Sequence, residues 1–267
     1  MNCSAPNKVL PDFAESDVIL VTGASSGIGA GIASLLNSLG ATVIASGRSQ
    51  EKLNALRNDC AEPERFHLEP KDLLDEMDAL PKWVSGLVAK YGKLKGMVCS
   101  AGIASPMPLQ LMELEKARRI FDINYFVPML LAKGFCDRRN NAGRGAAILF
   151  LGSMAATNPL RAQVAYTGSK AAVVASAKGI SLEYSSAGIR VNCISPAEVA
   201  TPLFYGFSEE LGDEAPEESV SGRYPLGIGS PGDIAPLAAF LLSDQAGWIT
   251  GQNYILDGGY NGCGANW

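Results

Sequence analysis

Val18-Ile-Leu-Val-Thr-Gly-Ala-Ser-Ser-Gly-Ile-Gly29 is the stretch that decides the fold. Val18–Val21 is a short apolar run without charge, the mark of a strand covered on both faces. Gly23, Gly27 and Gly29 follow in a G-x-x-x-G-x-G spacing, and Ile28, Ile32, Leu35, Leu36 and Leu39 then recur at helical spacing until Gly40 stops the helix. A strand, a glycine loop and a helix in that order suit a dinucleotide. Glycines let the backbone approach a pyrophosphate, and the helix N-terminus offers it unpaired N–H groups and a positive dipole end. The candidate contacts here are Gly23, Ser25, Ser26, Gly27, Ile28 and Gly29. The spacing is not the G-x-G-x-x-G of the usual fingerprint, so a glycine turn that merely packs helix on strand stays open beside the phosphate loop.

Outward from this unit, strand-like and helix-like segments alternate to the end of the chain. Further strands are predicted at Thr42–Ala45, Arg65–Leu68, Gly96–Cys99, Ala146–Leu151, Arg190–Ser195 and Asn253–Leu256. Helices are predicted from Ser49, over Leu109–Asp137, over Gln163–Tyr184 and over Pro231–Leu242. Seven strands with helices between them describe an α/β fold, a Rossmann-type doubly wound seven-stranded parallel sheet forming a single domain over 1–267.

Composition narrows the classes of function. A net charge of −5 and a pI near 5.1 argue against a nucleic-acid or anionic-membrane partner, which would need a basic face. Six cysteines stand apart with no C-x-x-C pair, and His67 is the only histidine, so a zinc site has little material. Isolated cysteines suit buried thiols in a reducing compartment. The N-terminus lacks a basic segment followed by an apolar run, and no apolar stretch is long enough to span a membrane. The expectation is a cytoplasmic enzyme.

The end of the second strand discriminates between nicotinamide cofactors. A carboxylate there would hydrogen-bond the ribose hydroxyls of NAD. The chain instead reads Ser46-Gly-Arg48-Ser49, and Arg48 suits the 2′-phosphate of NADP. A cation at a helix start is unfavourable by up to about 1 kcal/mol, which a phosphate partner would offset; a solvated arginine is the plainer alternative. The sequence therefore favours NADP(H) over NAD(H), with Arg48 and Ser49 as contacts.

Tyr166 and Lys170 lie one turn apart on a predicted helix, so both side chains share a face. An ammonium beside a phenol favours the phenolate and is expected to lower its pKa from about 10. Such a tyrosine can pass a proton to a carbonyl or take one from an alcohol. Ser153 follows the fifth strand at its carboxyl end, where open α/β sheets hold ligands, and can hydrogen-bond a substrate oxygen or simply cap a turn. Asn124 has Ile120, Phe121, Val127 and Pro128 as its i±3 and i±4 neighbours, so its amide should be buried and bonded, either structurally or holding a water in a proton chain.

Together these pieces resemble the short-chain dehydrogenase/reductase family in its compact single-domain branch, over about residues 17–260. The family's glycine signature matches Thr22, Gly23, Gly27 and Gly29, and its catalytic tetrad matches Asn124, Ser153, Tyr166 and Lys170. The resemblance implies Tyr166 as proton donor or acceptor, Lys170 as its tuner and a ribose contact, Ser153 orienting the carbonyl, and Asn124 supporting a water relay. It also implies that Val199 and Thr201 hold the nicotinamide carboxamide, with Ser100, Ala101, Gly102 and Pro196 completing the cofactor contacts. Three departures stand out. The family's Asn-Asn-Ala-Gly reads Cys99-Ser-Ala-Gly102, its Pro-Gly reads Pro196-Ala197, and its adenine-side aspartate is at best Glu69. A substrate lid is implied near 198–223, where Phe204, Tyr205 and Phe207 either cover an apolar substrate or pack the lid down, ahead of a solvated acidic stretch. A homodimer or homotetramer packed through the catalytic helix, which shows Gly168, Ala172, Ala175 and Gly179 in one stripe, is implied as well. The implied activity is hydride transfer between nicotinamide and a small-molecule ketone or secondary alcohol. The alternative is a catalytically silent cofactor-binding scaffold, which would predict damage to a tetrad that is intact.

Overall fold

β1 (Val18–Thr22) is buried along its whole length, as its uncharged sequence requires. It pairs in parallel with β2 (Thr42–Gly47) on one side and β4 (Leu94–Cys99) on the other, Leu20 lying opposite Ile44 and Met97. β3 (Phe66–Pro70), β5 (Ala147–Leu151), β6 (Arg190–Pro196) and β7 (Asn253–Leu256) complete one seven-stranded, all-parallel sheet in the order β3-β2-β1-β4-β5-β6-β7. This computed structural model describes residues 10–260; Cys3 and Cys263 lie outside the described residues. Cys60, Cys99, Cys136 and Cys193 are free and buried.

Helices cover both faces. On one, α1 (Gly27–Ser38) packs against α9 (Pro231–Leu242), with Ile32, Leu36, Ile234 and Leu242 in the core beside Leu53 of α2 (Gln50–Asn58). On the other, α3 (Leu80–Tyr91), α5 (Val127–Cys136) and α6 (Val164–Tyr184) bury Val84, Leu131, Phe135 and Val173. Chain order reverses direction across the β1–β4 pair, which opens a crevice at the carboxyl ends of those two strands.

The structure differs from the sequence expectation in three places. α3 is a full helix outside the predicted elements, although Leu80, Trp83, Val84, Leu87, Val88 and Tyr91 recur at helical spacing, and short helices at Pro202–Glu210 and Pro216–Ser221 lie in the segment expected to be a lid. The helix predicted over Leu109–Asp137 is not one cylinder: Leu109–Leu111 forms an isolated 3₁₀ turn, and α4 (Leu114–Phe121) passes through a π turn at Asp122–Phe126 into α5. Pro128 accounts for the π turn. It has no N–H for the carbonyl of Asn124 four residues earlier, and its ring would collide with that carbonyl in a regular α-helix.

Gly134 marks where α5 crosses α3. A Cβ there would lie 2.9 Å from Pro81 Cα and from Val84 Cβ, both held in the core. Gly134→Ala is therefore expected to destabilise the fold by about 1–3 kcal/mol; calorimetric unfolding should show a Tm several degrees lower, and an unchanged Tm would contradict the crossing.

Candidate active site

The crevice is a cleft of about 420 Å³ that runs over the carboxyl ends of the central strands. One end is built by the glycine loop. Gly23 has a φ of +70°, and a Cβ on it would stand 2.7 Å from the backbone nitrogen of Ala101. A Cβ on Gly29 would lie 2.3 Å from the carbonyl oxygen of Gly23. Bare backbone is thus what lets the loop lie against the segment after β4. Ser26 opens α1 without a side-chain capping bond, and no acidic residue stands in the first turn. The positive end of α1 is left facing the cleft, which Gly23, Ser25, Ser26, Gly27, Ile28 and Gly29 all line.

Beyond β2, Arg48 lines the same cleft, exposed and with no ion-pair partner among the described residues. Ser49 does not line it; its Oγ accepts a hydrogen bond from the Lys52 amide at 3.2 Å and caps α2. Glu69 is likewise spoken for. Its Oε1 accepts from Lys90 Nζ at 2.8 Å and from Tyr91 Oη at 2.6 Å, and those two bonds outweigh burial to hold its carboxyl below the usual range. The carboxylate that reaches the cleft after β3 is Asp72, next to Lys71. Asp72 replaces Glu69 as the acidic residue on this side.

At the other end, Ser153, Tyr166 and Lys170 line the cleft together. Ser153 Oγ accepts from the Ala155 amide at 3.1 Å and caps the turn after β5, while also standing within hydrogen-bonding reach of the Tyr166 hydroxyl. Lys170 donates through Nζ to the carbonyl of Leu151 at 2.8 Å and sits 5.8 Å from the Tyr166 ring centroid. Burial pushes the Lys170 ammonium down to about 8. It pushes the Tyr166 phenol up, with Ser153 opposing the rise and the charge of Glu198 adding to it. The expectation that Lys170 lowers the phenol is thus corrected: desolvation of the ring hydroxyl dominates.

Asn124 lies on the π turn, buried and outside the cleft lining. Its Oδ1 accepts from the Ile103 amide at 2.9 Å, and its Nδ2 donates to the Ile103 carbonyl at 2.9 Å and to Ser169 Oγ at 3.1 Å. The amide side chain clamps the segment after β4, where Ser100, Ala101 and Gly102 line the cleft, onto α6. Pro196, the last residue of β6, and Val199 and Thr201 beyond it also line the cleft. Thr201 caps α7 (Pro202–Glu210), accepting from the Phe204 amide at 3.3 Å. From α7, Phe204 and Phe207 face the cleft, whereas Tyr205 hydrogen-bonds Glu217 on α8 (Pro216–Ser221). Several polar residues that sequence reasoning passed over also line it, among them Arg119, Asn158, Gln163, Glu198 and Arg223. Glu198 had a signal, since it stands between Pro196 and Val199; the others had none.

The family model described as enoyl-(acyl carrier protein) reductase matches residues 23–261. A 3-oxoacyl-[acyl-carrier-protein] reductase FabG of Rickettsia felis is 34% identical over 243 residues, covering 90% of this chain and 95% of that protein. This chain belongs to the short-chain dehydrogenase/reductase family. A D-threitol dehydrogenase of Mycolicibacterium smegmatis is 33% identical over 247 residues, covering 92% of this chain and 93% of its own. Among solved structures, a short-chain dehydrogenase/reductase titled glucose/ribitol dehydrogenase from Brucella melitensis superposes with a TM-score of 0.85 at 28% identity, over 94% of this chain and 99% of that one. The ligand-free aldohexose dehydrogenase of Thermoplasma acidophilum gives a TM-score of 0.83 at 27% identity, over 96% and 97% of the two chains. As a short-chain dehydrogenase/reductase, the protein is an oxidoreductase of the CH–OH/C=O pair that uses a nicotinamide cofactor. No helix among its described residues is long and apolar enough to cross a membrane.

Lys170 is a buried cation without a carboxylate, and its titration should be visible in stability. Its folded value of about 8 lies below its unfolded value of 10.5, so between those values the unfolded chain holds a proton that the folded one has released. Stability should therefore rise with pH through that window. Lys170→Met is expected to stabilise the protein at pH 7 by roughly 3 kcal/mol and to flatten the rise, as read from denaturant unfolding at pH 7 and 9.5. A destabilised variant at pH 7 would contradict the assignment.

Proposed function

We propose that the protein is an NADP(H)-dependent oxidoreductase that interconverts a ketone and a secondary alcohol, with Tyr166 as acid and base. The observation that carries the reading is the sharing of one cleft by the glycine loop and by Ser153, Tyr166 and Lys170.

The residues fit a dinucleotide. The uncapped start of α1 suits the pyrophosphate, Asp72 the adenosine side, and Arg48 with Lys71 the 2′-phosphate. Val199 and Thr201 would hold the carboxamide, and Lys170, which has N–H groups beyond the one given to Leu151, the ribose. When bound, the nicotinamide supplies or accepts the hydride. The protein's own residues handle the proton. In reduction, Tyr166 Oη donates to the substrate oxygen while Ser153 Oγ, bonded to the same oxygen, stabilises the charge that builds there. A phenol held protonated by burial is an acid ready at neutral pH. Lys170, charged below about pH 8, favours the phenolate once the proton has left. Asn124 acts as a positioning residue; its main-chain carbonyl, for which Pro128 has no N–H, is the group that would hold a relay water behind Lys170.

Residues 198–223, with α7 and α8, would serve as the substrate lid, Phe204 and Phe207 giving it an apolar underside. Val164, Ala175, Gly179 and Leu182 are exposed on α6, and this face supports assembly into a homodimer or homotetramer. The relatives' names run from 3-oxoacyl-[acyl-carrier-protein] to D-threitol; what they share is a carbonyl/alcohol pair.

Oxidation of NADPH and NADH against a ketone panel tests the reading. Tyr166→Phe is expected to lose about 10²-fold or more in kcat, and full activity in that variant would remove Tyr166 as the acid. Arg48→Ala is expected to raise the KM for NADPH about tenfold while changing that for NADH little. An equal effect on both cofactors would refute the phosphate contact.

A further inference from the structure

Residues 103–107, beyond β4, are pinned at both ends. At one end the Asn124 side chain holds Ile103 through its amide and its carbonyl, at 2.9 Å each. At the other, the Met107 amide donates to the Ala162 carbonyl at 2.6 Å, just ahead of α6. Ala162 has a φ of +60°, a left-handed conformation that a residue with a Cβ adopts only where its surroundings fix it. Ser105 stands midway along this fixed segment, next to Ala104 in the cleft wall.

From that wall, Ser105 Oγ donates to Glu210 Oε2 at 2.7 Å. Glu210 is the last residue of α7. It lies three residues beyond Phe207 and beside Leu211, both of which line the cleft, so the bond stands at the rim of the face that α7 turns inward. The segment that carries α7 is built as one body with a narrow base. Tyr205 bonds Glu217, and Asp213 Oδ1 accepts from the Ala215 amide at 3.2 Å and from Ser219 Oγ at 3.0 Å, which ties α7 to α8. Its two ends meet at the isolated Val199–Gly229 bridge, where the Ala200 amide donates to the Gly229 carbonyl at 2.8 Å and the Gly229 amide to the Glu198 carbonyl at 3.1 Å. A narrow base at one end and a bond to a fixed wall at the other are the geometry of a latched flap. The bond is exposed, so water replaces it at little cost and opening is reversible.

We propose that the Ser105–Glu210 bond latches residues 200–229 shut over the substrate end of the cleft, and that its release, with α7 and α8 turning together about the Val199–Gly229 bridge, admits substrate and frees product. Glu210 is thereby a positioning residue: with the latch closed, it seats Phe207 in the cleft that Tyr166 lines. Lids of this kind gate exchange with solvent rather than take part in the chemistry. The purpose of the latch rests on the oxidoreductase reading above.

The test uses two readouts on the whole chain. Chymotryptic cleavage within Leu203–Leu211, mapped by mass spectrometry, reads the open lid, and stopped-flow fluorescence reads the release of bound NADPH. Ser105→Ala and Glu210→Ala should each speed both by about fivefold, as the loss of one exposed charge-assisted hydrogen bond would, at an unchanged Tm. The double variant should be no faster than either single one, because the two side chains act through one bond. Glu210→Gln, which keeps a carbonyl acceptor, should fall between the native protein and Glu210→Ala. Effects that add in the double variant overturn the latch, as does either rate left unchanged in both single variants. If NADPH does not bind the native protein, the oxidoreductase reading is what fails, and the cleavage rates still decide the latch.

Discussion

Everything in this molecule hangs on the approach of two stretches of bare backbone. Gly23, leaving β1, lies so close to Ala101, leaving β4, that no side chain fits between them. These are the adjacent strands from which chain order runs in opposite directions, so the close approach fixes the width of the crevice at its centre. α1 starts four residues later and Asn124 ties the Ala101 side to α6, so one contact sets both the glycine-loop end and the Tyr166 end of the cleft. A methyl group at Gly23 would act on both.

The chemical end is held at a cost in stability. Lys170 is fully desolvated, its one bond among the described residues goes to a neutral carbonyl, and the nearby thiols of Cys99 and Cys193 are themselves kept protonated by burial. Tyr166 is desolvated in the opposite sense, its neutral form favoured. The two groups are therefore poised against each other: the pocket that holds the phenol's proton also makes the neighbouring cation readier to lose its own. Such tension is tolerated where the surrounding structure is rigid, and the strand ends beneath it, Cys99 and Leu151, are buried.

How much of this could be read from residues alone follows from what kind of signal each element leaves. The strands were legible because parallel strands buried on both faces are nearly pure apolar runs, as Val18–Val21 and Ala147–Leu151 are. α9 was legible because Ser230, Pro231 and Asp233 spell out its start. α3 carries Pro81 in its first turn and Leu80, Val84 and Leu87 at helical spacing, but Ala79 makes no side-chain cap, and the chain reaches it through a left-handed Glu76. The meeting of Ser153, Tyr166 and Lys170 in one cleft was legible from the sequence, yet their electrostatics were not, because spacing places Lys170 beside Tyr166 without revealing how dry both are. Glu69 and Asp72 show the same limit. Only the third dimension reveals that Lys90 and Tyr91 occupy the first and leave the second to the cleft.

The π turn at Asp122–Phe126 has an effect that reaches beyond Asn124. An added residue in a helical turn rotates every later side chain by about 100° around the axis. α4 can therefore direct Ala117 and Ile120 toward α6, while α5, continuing the same rod, directs Leu131 and Phe135 toward the sheet and α3. A single helix thus changes the layer it serves part-way along, with Pro128 as the pivot, and α6 and the sheet are locked in phase by one imino acid.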